Sequence, residues 1–144
     1  MKMMLKTGYT RDNLAAVLRG RGINPTHQRI EIAHAIFSGG GHLSADQILA
    51  LVNDRAAQTS KATVYNTLNL FLEKKLIREV IVDPSKVFYD SNTDPHHHFY
   101  NLDTGDLTDI DARDIRVTGL PRLPHGMTTA GVDIIVRIRS ESER

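Results

Sequence analysis

Ser60-Lys61-Ala62-Thr63-Val64-Tyr65-Asn66-Thr67-Leu68-Asn69-Leu70-Phe71-Leu72-Glu73-Lys74-Lys75 is the best-patterned helical stretch of the chain. Val64, Leu68, Phe71 and Leu72 follow the i, i+4, i+7, i+8 spacing of one buried helical face. Ser60 is the expected N-cap of a helix running from Lys61 to Lys75. The opposite face carries Ala62, Tyr65, Asn66 and Asn69, with Lys61 and Thr63 alongside, and no acidic residue precedes Glu73. A helix that enters the DNA major groove needs this arrangement. Its N-terminal turn favours phosphate, amides and hydroxyls reach base edges, and carboxylates would be repelled.

Working outward, three helices come before it. Thr10 reads as the N-cap of a helix over Arg11–Arg21, with Leu14, Val17 and Leu18 on one face and Gly22 as its stop. Thr26 caps a second helix, running to Phe37, whose buried stripe is Ile30, Ala33, Ile36 and Phe37. Ser38-Gly39-Gly40-Gly41 is a loop. Ser44-Ala45-Asp46-Gln47 is a capping box opening a third helix that buries Ile48, Leu51 and Val52. Its link to the Lys61 helix suits a helix-turn-helix, with Arg55–Thr59 longer than the minimal turn. Downstream, Leu76–Val82 and Val87–Tyr89 are short apolar strands around Asp83-Pro84-Ser85-Lys86, a hairpin that reads as the wing of a winged helix. The rival reading is a generic three-helix core with a solvated polar face. Helix order, wing and charge distribution together favour DNA binding.

The charge distribution is concealed by the total. Over 144 residues, 18 Lys and Arg balance 17 Asp and Glu, a net charge of +1 that alone argues against a nucleic-acid binder. Residues 1–78 carry 11 basic and 5 acidic residues, net +6, and residues 79–144 carry 7 and 12, net −5. Such a split suggests a polyanion-binding half and a half with another task. The absence of cysteine excludes disulfides, Cys-based zinc sites and thiol nucleophiles. Met1–Thr10 is too short and polar for a signal peptide, and no apolar run approaches a membrane span. A cytoplasmic protein with no membrane partner is expected.

His96-His97-His98 is the densest chemical feature. It is internal, where affinity tags are terminal. It leads into Phe99-Tyr100, a turn at Leu102-Asp103-Thr104-Gly105, and Leu107–Ile110, the pattern of a hairpin. Alternation on a strand points His96 and His98 to one face and His97 to the other. Asp109 falls on the returning strand within cross-strand reach of His98, Asp90 ends the wing, and His42 closes the Gly-rich loop. Three imidazoles and two carboxylates fit Mn²⁺ or Fe²⁺ and tolerate Zn²⁺ or Co²⁺. A solvated acidic hairpin without a ligand is the other reading of the same spacing. Asp111–Arg116 reads as a short helix, and Gly131–Arg139 as a strand with Val132, Ile134, Val136 and Ile138 on one side. So small a second half cannot bury much core alone, and a homodimer paired through this sheet would supply the missing contacts.

Together these residues resemble the ferric uptake regulator superfamily. The similarity lies in Gly22-Ile23-Asn24-Pro25-Thr26-His27-Gln28-Arg29, His42-Leu43-Ser44-Ala45-Asp46 and Ala62-Thr63-Val64-Tyr65-Asn66-Thr67-Leu68. Val87–Thr93, His96–Tyr100 and Val132–Arg139 look most like its iron response regulator (Irr) branch. The resemblance implies a dimeric winged-helix repressor or activator of haem and iron metabolism genes, bound to AT-rich inverted repeats of double-stranded DNA. It implies DNA contacts by Tyr65 and Arg29, a manganese or iron site at His42, Asp90, His96, His98 and Asp109, and haem bound by His96, His97 and His98. Three features depart from the pattern, one of them a long dimerisation helix cut here to about one or two turns. The superfamily's Cys-x-x-Cys zinc site and the Cys-Pro haem motif of some Irr proteins are both impossible here.

The expected fold class is therefore α+β. Residues 1–91 would form an N-terminal winged-helix DNA-binding domain, and residues 92–144 a small C-terminal α/β domain for dimerisation and metal or haem sensing. Lys61, Arg29 and helix-start amides would hold phosphates, while Thr63, Tyr65 and Asn66 reach base edges. Rival readings are a peroxide- or manganese-sensing repressor using the same site, a metal-dependent hydrolase, and a winged helix indifferent to metal.

Overall fold

The computed structural model describes residues 9–39, 41–55 and 59–142. The stretch set aside as no signal peptide (residues 1–8), Gly40 of the Gly-rich loop, and residues 56–58 of the helix-turn-helix link lie outside the described residues. The architecture is α+β, with two compact units, Met1–Thr93 and Asp94–Arg144. No described helix is long and apolar enough to cross a membrane.

The first unit contains α1 (Arg11–Gly20), α2 (His27–Ser38), β1 (His42–Leu43), α3 (Ala45–Arg55), α4 (Lys61–Glu73), β2 (Arg78–Asp83) and β3 (Lys86–Asp90). The helix starts follow from local chemistry. The hydroxyls of Thr10, Thr26 and Ser60 accept the N–H groups of Asn13, Arg29 and Thr63. Ser44 and Gln47 bond reciprocally, at 3.2 and 2.8 Å, to open α3.

α1 and α4 end one and two residues earlier than expected, and α2 one residue later. α1 closes with the Ile23 N–H on the Leu18 carbonyl and Gly22 at φ +75°. α4 closes in the same way, with the Leu76 N–H on the Phe71 carbonyl and Lys75 in the left-handed conformation, φ +60°. Arg21, the C-cap of α1, donates to the carbonyls of Lys74 and Lys75, which satisfies the end of α4 from outside that helix.

Leu14, Leu18, Ile32, Ile36, Ile48, Val64, Leu68 and Phe71 form the centre of the core. Two expectations about burial fail. α2 turns Glu31, Ile32 and Ala35 inward with Ala33 and Ile36, while Ile30 and Phe37 are only half-buried. Glu31 is tolerated because Arg11 donates to both its oxygens, at 2.6 and 2.9 Å. Leu51 of α3, expected inside, is 41% exposed. β1, β3 and β2 form an antiparallel sheet in that order, with β2 and β3 as the wing. The two-residue β1 has too little pattern to have been read as a strand. Gly39 lets the chain turn into it, because a Cβ there would meet the Ala35 carbonyl and lie 2.7 Å from Leu43 Cδ1.

The second unit is a three-stranded sheet of order β5-β4-β6, built from β4 (His97–Asn101), β5 (Leu107–Ile110) and β6 (Ile135–Ile138). β4 pairs antiparallel with β5 and parallel with β6. The helix expected over Asp111–Arg116 is a single 3₁₀ turn, Ala112–Asp114, because the Asp111 carboxylate takes the Arg113 N–H and Ile115 is already extended. The strand expected over Gly131–Arg139 is reduced to the four residues that β4 can pair.

Candidate metal and nucleic-acid sites

Within the first unit, β1 and β3 place two ligand-type side chains opposite each other. His42 and Asp90 are register partners, and His42 Nε2 lies 3.3 Å from Asp90 Oδ2. The other carboxylate oxygen, Oδ1, accepts the Asn92 N–H at 2.9 Å, which fixes the group although it is almost wholly buried.

Within the second unit, antiparallel register sets His98 opposite Asp109. His96 and His98 converge, with ring centroids 4.5 Å apart. Asp109 Oδ1 lies 3.3 Å from His96 Nε2 and 3.5 Å from His98 Nε2. Each of the three offers a ligand atom within 4.8 Å of the others. His97 faces elsewhere, and its Nδ1 accepts the Ile134 N–H at 3.1 Å.

The His96 ring carries information about charge. Its Nδ1 is 2.6 Å from the Asp94 carbonyl oxygen, which can only accept, so Nδ1 bears the proton. In the neutral ring Nε2 is then a lone pair facing the Asp109 carboxylate. Two acceptors at 3.3 Å need a second proton or a metal cation between them. An N–H donated to a backbone carbonyl is also how a metal-bound imidazole is held in orientation.

The residues expected at DNA stand on α4 and at the start of α2. Tyr65 and Asn66 are exposed. Lys61 Nζ lies 3.7 Å from the exposed Asp46 carboxylate. The Thr63 hydroxyl bonds Ser60 Oγ at 3.0 Å, so part of its capacity serves the helix cap. Arg29 Nη1 donates to the Asn24 carbonyl at 2.9 Å, which braces the turn before α2. A cleft of about 450 Å³ between these helices is lined by Arg29, Thr63 and Asn66, and also by Thr26 and Gln28. Sequence reading passed over Gln28, although its position one residue before Arg29 could have signalled it. Behind α4, burial pushes the Tyr89 phenol above its ordinary range, and the nearby Glu79 and Tyr65 add to the shift.

The description Ferric uptake regulator family belongs to the sequence profile that matches residues 20–137. This chain belongs to the ferric uptake regulator family. Among its relatives, the peroxide-responsive repressor PerR of Staphylococcus epidermidis is 31% identical over 95 residues, covering 66% of this chain and 63% of the relative. The match thus spans less than two thirds of that relative's length. The ferric uptake regulator from Pseudomonas aeruginosa with manganese is similar in structure, with TM-score 0.64, 20% identity, and coverage of 88% and 96% of the two chains. The Vibrio cholerae ferric uptake regulator gives TM-score 0.68, 17% identity, and coverage of 88% and 98%. At these identities the structural likeness establishes the fold, the α+β winged helix with a small second domain.

Proposed function

We propose that the chain is a metal-responsive, DNA-binding transcription regulator, acting as a homodimer on an AT-rich inverted repeat in the cytoplasm. Its winged-helix domain, residues 1–91, would bind DNA, and residues 92–144 would sense and dimerise. The observation that carries the metal reading is His96 Nε2 facing Asp109 Oδ1 with the Nδ1 proton already committed to Asp94. A divalent cation between them would satisfy both acceptors, as a second proton on His96 also would. His98 and Asp109 complete the triad from the second unit, and His42 and Asp90 would close on the same ion. Asp90 and His96 are six residues apart in sequence, so the two ligand sets are tethered within roughly 20 Å at full extension. Three imidazoles and two carboxylates favour Mn²⁺ or Fe²⁺, with Zn²⁺ tolerated in vitro. Binding realised only when both sets converge favours one domain arrangement, so metal and DNA affinities are reciprocally coupled, typically by about 1–3 kcal/mol. Family membership sets the hydrolase reading aside in favour of transcription regulation.

The test is a titration of wild type and of His96→Ala/His98→Ala with Mn²⁺. DNA affinity is read in parallel on a duplex recovered from a random pool by the unmutated protein. The double variant is expected to lose at least about 100-fold in Mn²⁺ affinity, since losses of 10–100-fold already follow removal of groups that merely orient ligands. Unchanged metal and DNA affinities would sink the reading.

Two finer signals divide this proposal. The resemblance to the iron response regulator branch favours iron or haem, with haem held by His96, His97 and His98. Against the haem site, His98 is 1% exposed and His97 would have to give up the Ile134 hydrogen bond to present Nε2 as a ligand. The peroxide-responsive repressor PerR among the relatives favours peroxide sensing, for which we propose Fe²⁺ at the same five residues. An added oxygen on His42 or His96 after peroxide, found by mass spectrometry of the Fe²⁺-loaded protein, selects the peroxide reading. A Soret titration that weakens DNA binding selects haem.

A further inference from the structure

Thr63, Asn66, Thr67 and Leu70 form one flank of α4 at i, i+3, i+4, i+7 spacing, and they share a cleft of about 450 Å³ with the first turn of α2, where Gln28 and Arg29 stand. Most polar groups around this cleft are already engaged. The Thr26 hydroxyl accepts the Arg29 N–H at 3.3 Å, the Thr63 hydroxyl bonds Ser60 Oγ at 3.0 Å, and Arg29 Nη1 donates to the Asn24 carbonyl at 2.9 Å. Gln28 and Asn66 differ. Both are exposed, and among the described residues neither side-chain amide has a hydrogen-bond partner. Amides that brace nothing in the protein are available to a ligand.

Groove dimensions decide which part of a duplex each amide meets. The major groove of B-form DNA is about 12 Å wide, and a helix with its side chains is about 10–12 Å across. α4 seated in the groove therefore fills it. Asn66 belongs to α4 and enters with it. Gln28 belongs to the neighbouring helix, stays beside α4, and meets the wall of the groove, which is the sugar–phosphate backbone of one strand.

We infer that Gln28 is a further DNA-contacting residue, which donates its side-chain amide to a backbone phosphate of the strand lying along the α2 flank of α4. The inference rests on the regulatory function proposed above. The contact is neutral, so it fixes the register of α4 in the groove without releasing a counterion. Arg29 beside it supplies charge, and Gln28 supplies direction. Phosphates are the same at every base pair, so the contact is blind to sequence.

The test titrates Mn²⁺-loaded wild type, Gln28→Ala and Gln28→Glu onto the selected duplex and onto versions with single base-pair changes, over a range of salt. Gln28→Ala is expected to weaken binding at least about tenfold, by the same factor on every duplex, with the wild-type slope of log affinity against log salt. Gln28→Glu is expected to weaken it further, because a carboxylate repels the phosphate. At the second residue of α2 that carboxylate favours the helix, so the melting temperature is expected at or above the wild type's, and the loss is not one of folding. Wild-type affinity in Gln28→Ala, a loss confined to particular base pairs, or Gln28→Glu binding no worse than Gln28→Ala overturns the inference and leaves the regulatory reading standing. If Gln28→Ala melts early, Gln28→Glu alone decides, and wild-type affinity there overturns it. A wild type that binds no duplex overturns both.

Discussion

Between Tyr9 and Asp90 the chain packs aliphatic side chains and one phenylalanine against each other, whereas between His96 and Ile138 the residue hidden most completely is a histidine. Phe71, Leu14, Leu18, Ile32, Ile36, Ile48, Leu68 and Val64 are fully buried in the first unit, with Asp90, at its end, the one fully buried charged group among its described residues, and His98 in the second. The second unit meanwhile exposes Leu120, Leu123, Met127, Val136 and Ile138. Apolar burial is the main favourable term in folding, and it scales with area removed from water. The first unit therefore carries its own stability. Among the described residues, the second buries His96 and His98 beside only Tyr100, Leu107 and Ile110 and leaves many of its other apolar residues outside, as a domain completed by metal and by a second copy would.

The largest expected effect tests this contrast directly. Phe71→Ala empties the centre of the first core and is expected to cost about 3–5 kcal/mol, enough to unfold that unit in mild urea. Ile138→Ala in the metal-free chain at low concentration is expected to fall within about 0.5 kcal/mol of wild type, because Ile138 is already 37% exposed. Urea unfolding followed by circular dichroism reads both. A comparable loss from Ile138→Ala would mean that the second unit has an apolar core of its own.

The contrast extends to ion pairs of similar geometry. Arg11 grips Glu31 in the first unit at 2.6 and 2.9 Å, and Arg113 grips Asp111 in the second at 3.0 and 2.8 Å. The Glu31 side chain is 7% exposed and that of Asp111 46%. Water screens the second pair and leaves the first strong. Glu31→Gln is expected to cost about 1–3 kcal/mol, less than a fully buried pair because Arg11 is partly open to solvent. Asp111→Asn is expected to leave the urea midpoint where it was.

Glu31 also marks where sequence reading stops. Caps and amphipathic faces are local, so Thr10, Thr26, Ser44 and Ser60 were legible, as was the Val64–Phe71 stripe. The hairpin alternation that faces Asp109 to His98 was legible for the same reason. A buried carboxylate is legible only through its partner, and Arg11 lies 20 residues away on another helix. β1 was invisible because two residues have no period, and its existence depends on the edge of β3. Leu51 broke the opposite way: its spacing suits a buried face, but it stays 41% exposed beside a cleft that Ala35, Gly39 and Val52 also line. Of the candidate sites, composition and spacing brought out the five ligand-type residues, two in the first unit and three in the second. The hydrogen bond from His96 Nδ1 to the Asp94 carbonyl needed atomic distances, since it is made by a backbone oxygen that every residue carries.

The smallest expected effect lies at alkaline pH and sharpens the contrast from its edge. Tyr9 packs edge-on against Phe37, with ring centroids 5.1 Å apart, and burial raises its phenol above the ordinary value near 10. A folded-state pKa above the unfolded one means that the unfolded chain releases the proton first as pH rises. The contribution is complete below the unfolded value and is lost as pH climbs through the folded one. Tyr89 shifts in the same direction, again mainly by burial. The first unit should therefore lose stability between about pH 9 and about pH 11, where tyrosine ordinarily titrates. Tyr9→Phe retains the ring packing and removes one ionisable group, so its urea midpoint should fall less steeply over that interval than the wild type's. An identical slope would mean that the phenol of Tyr9 is as well solvated when folded as when unfolded, and that the compact unit ends inside Tyr9 rather than at it.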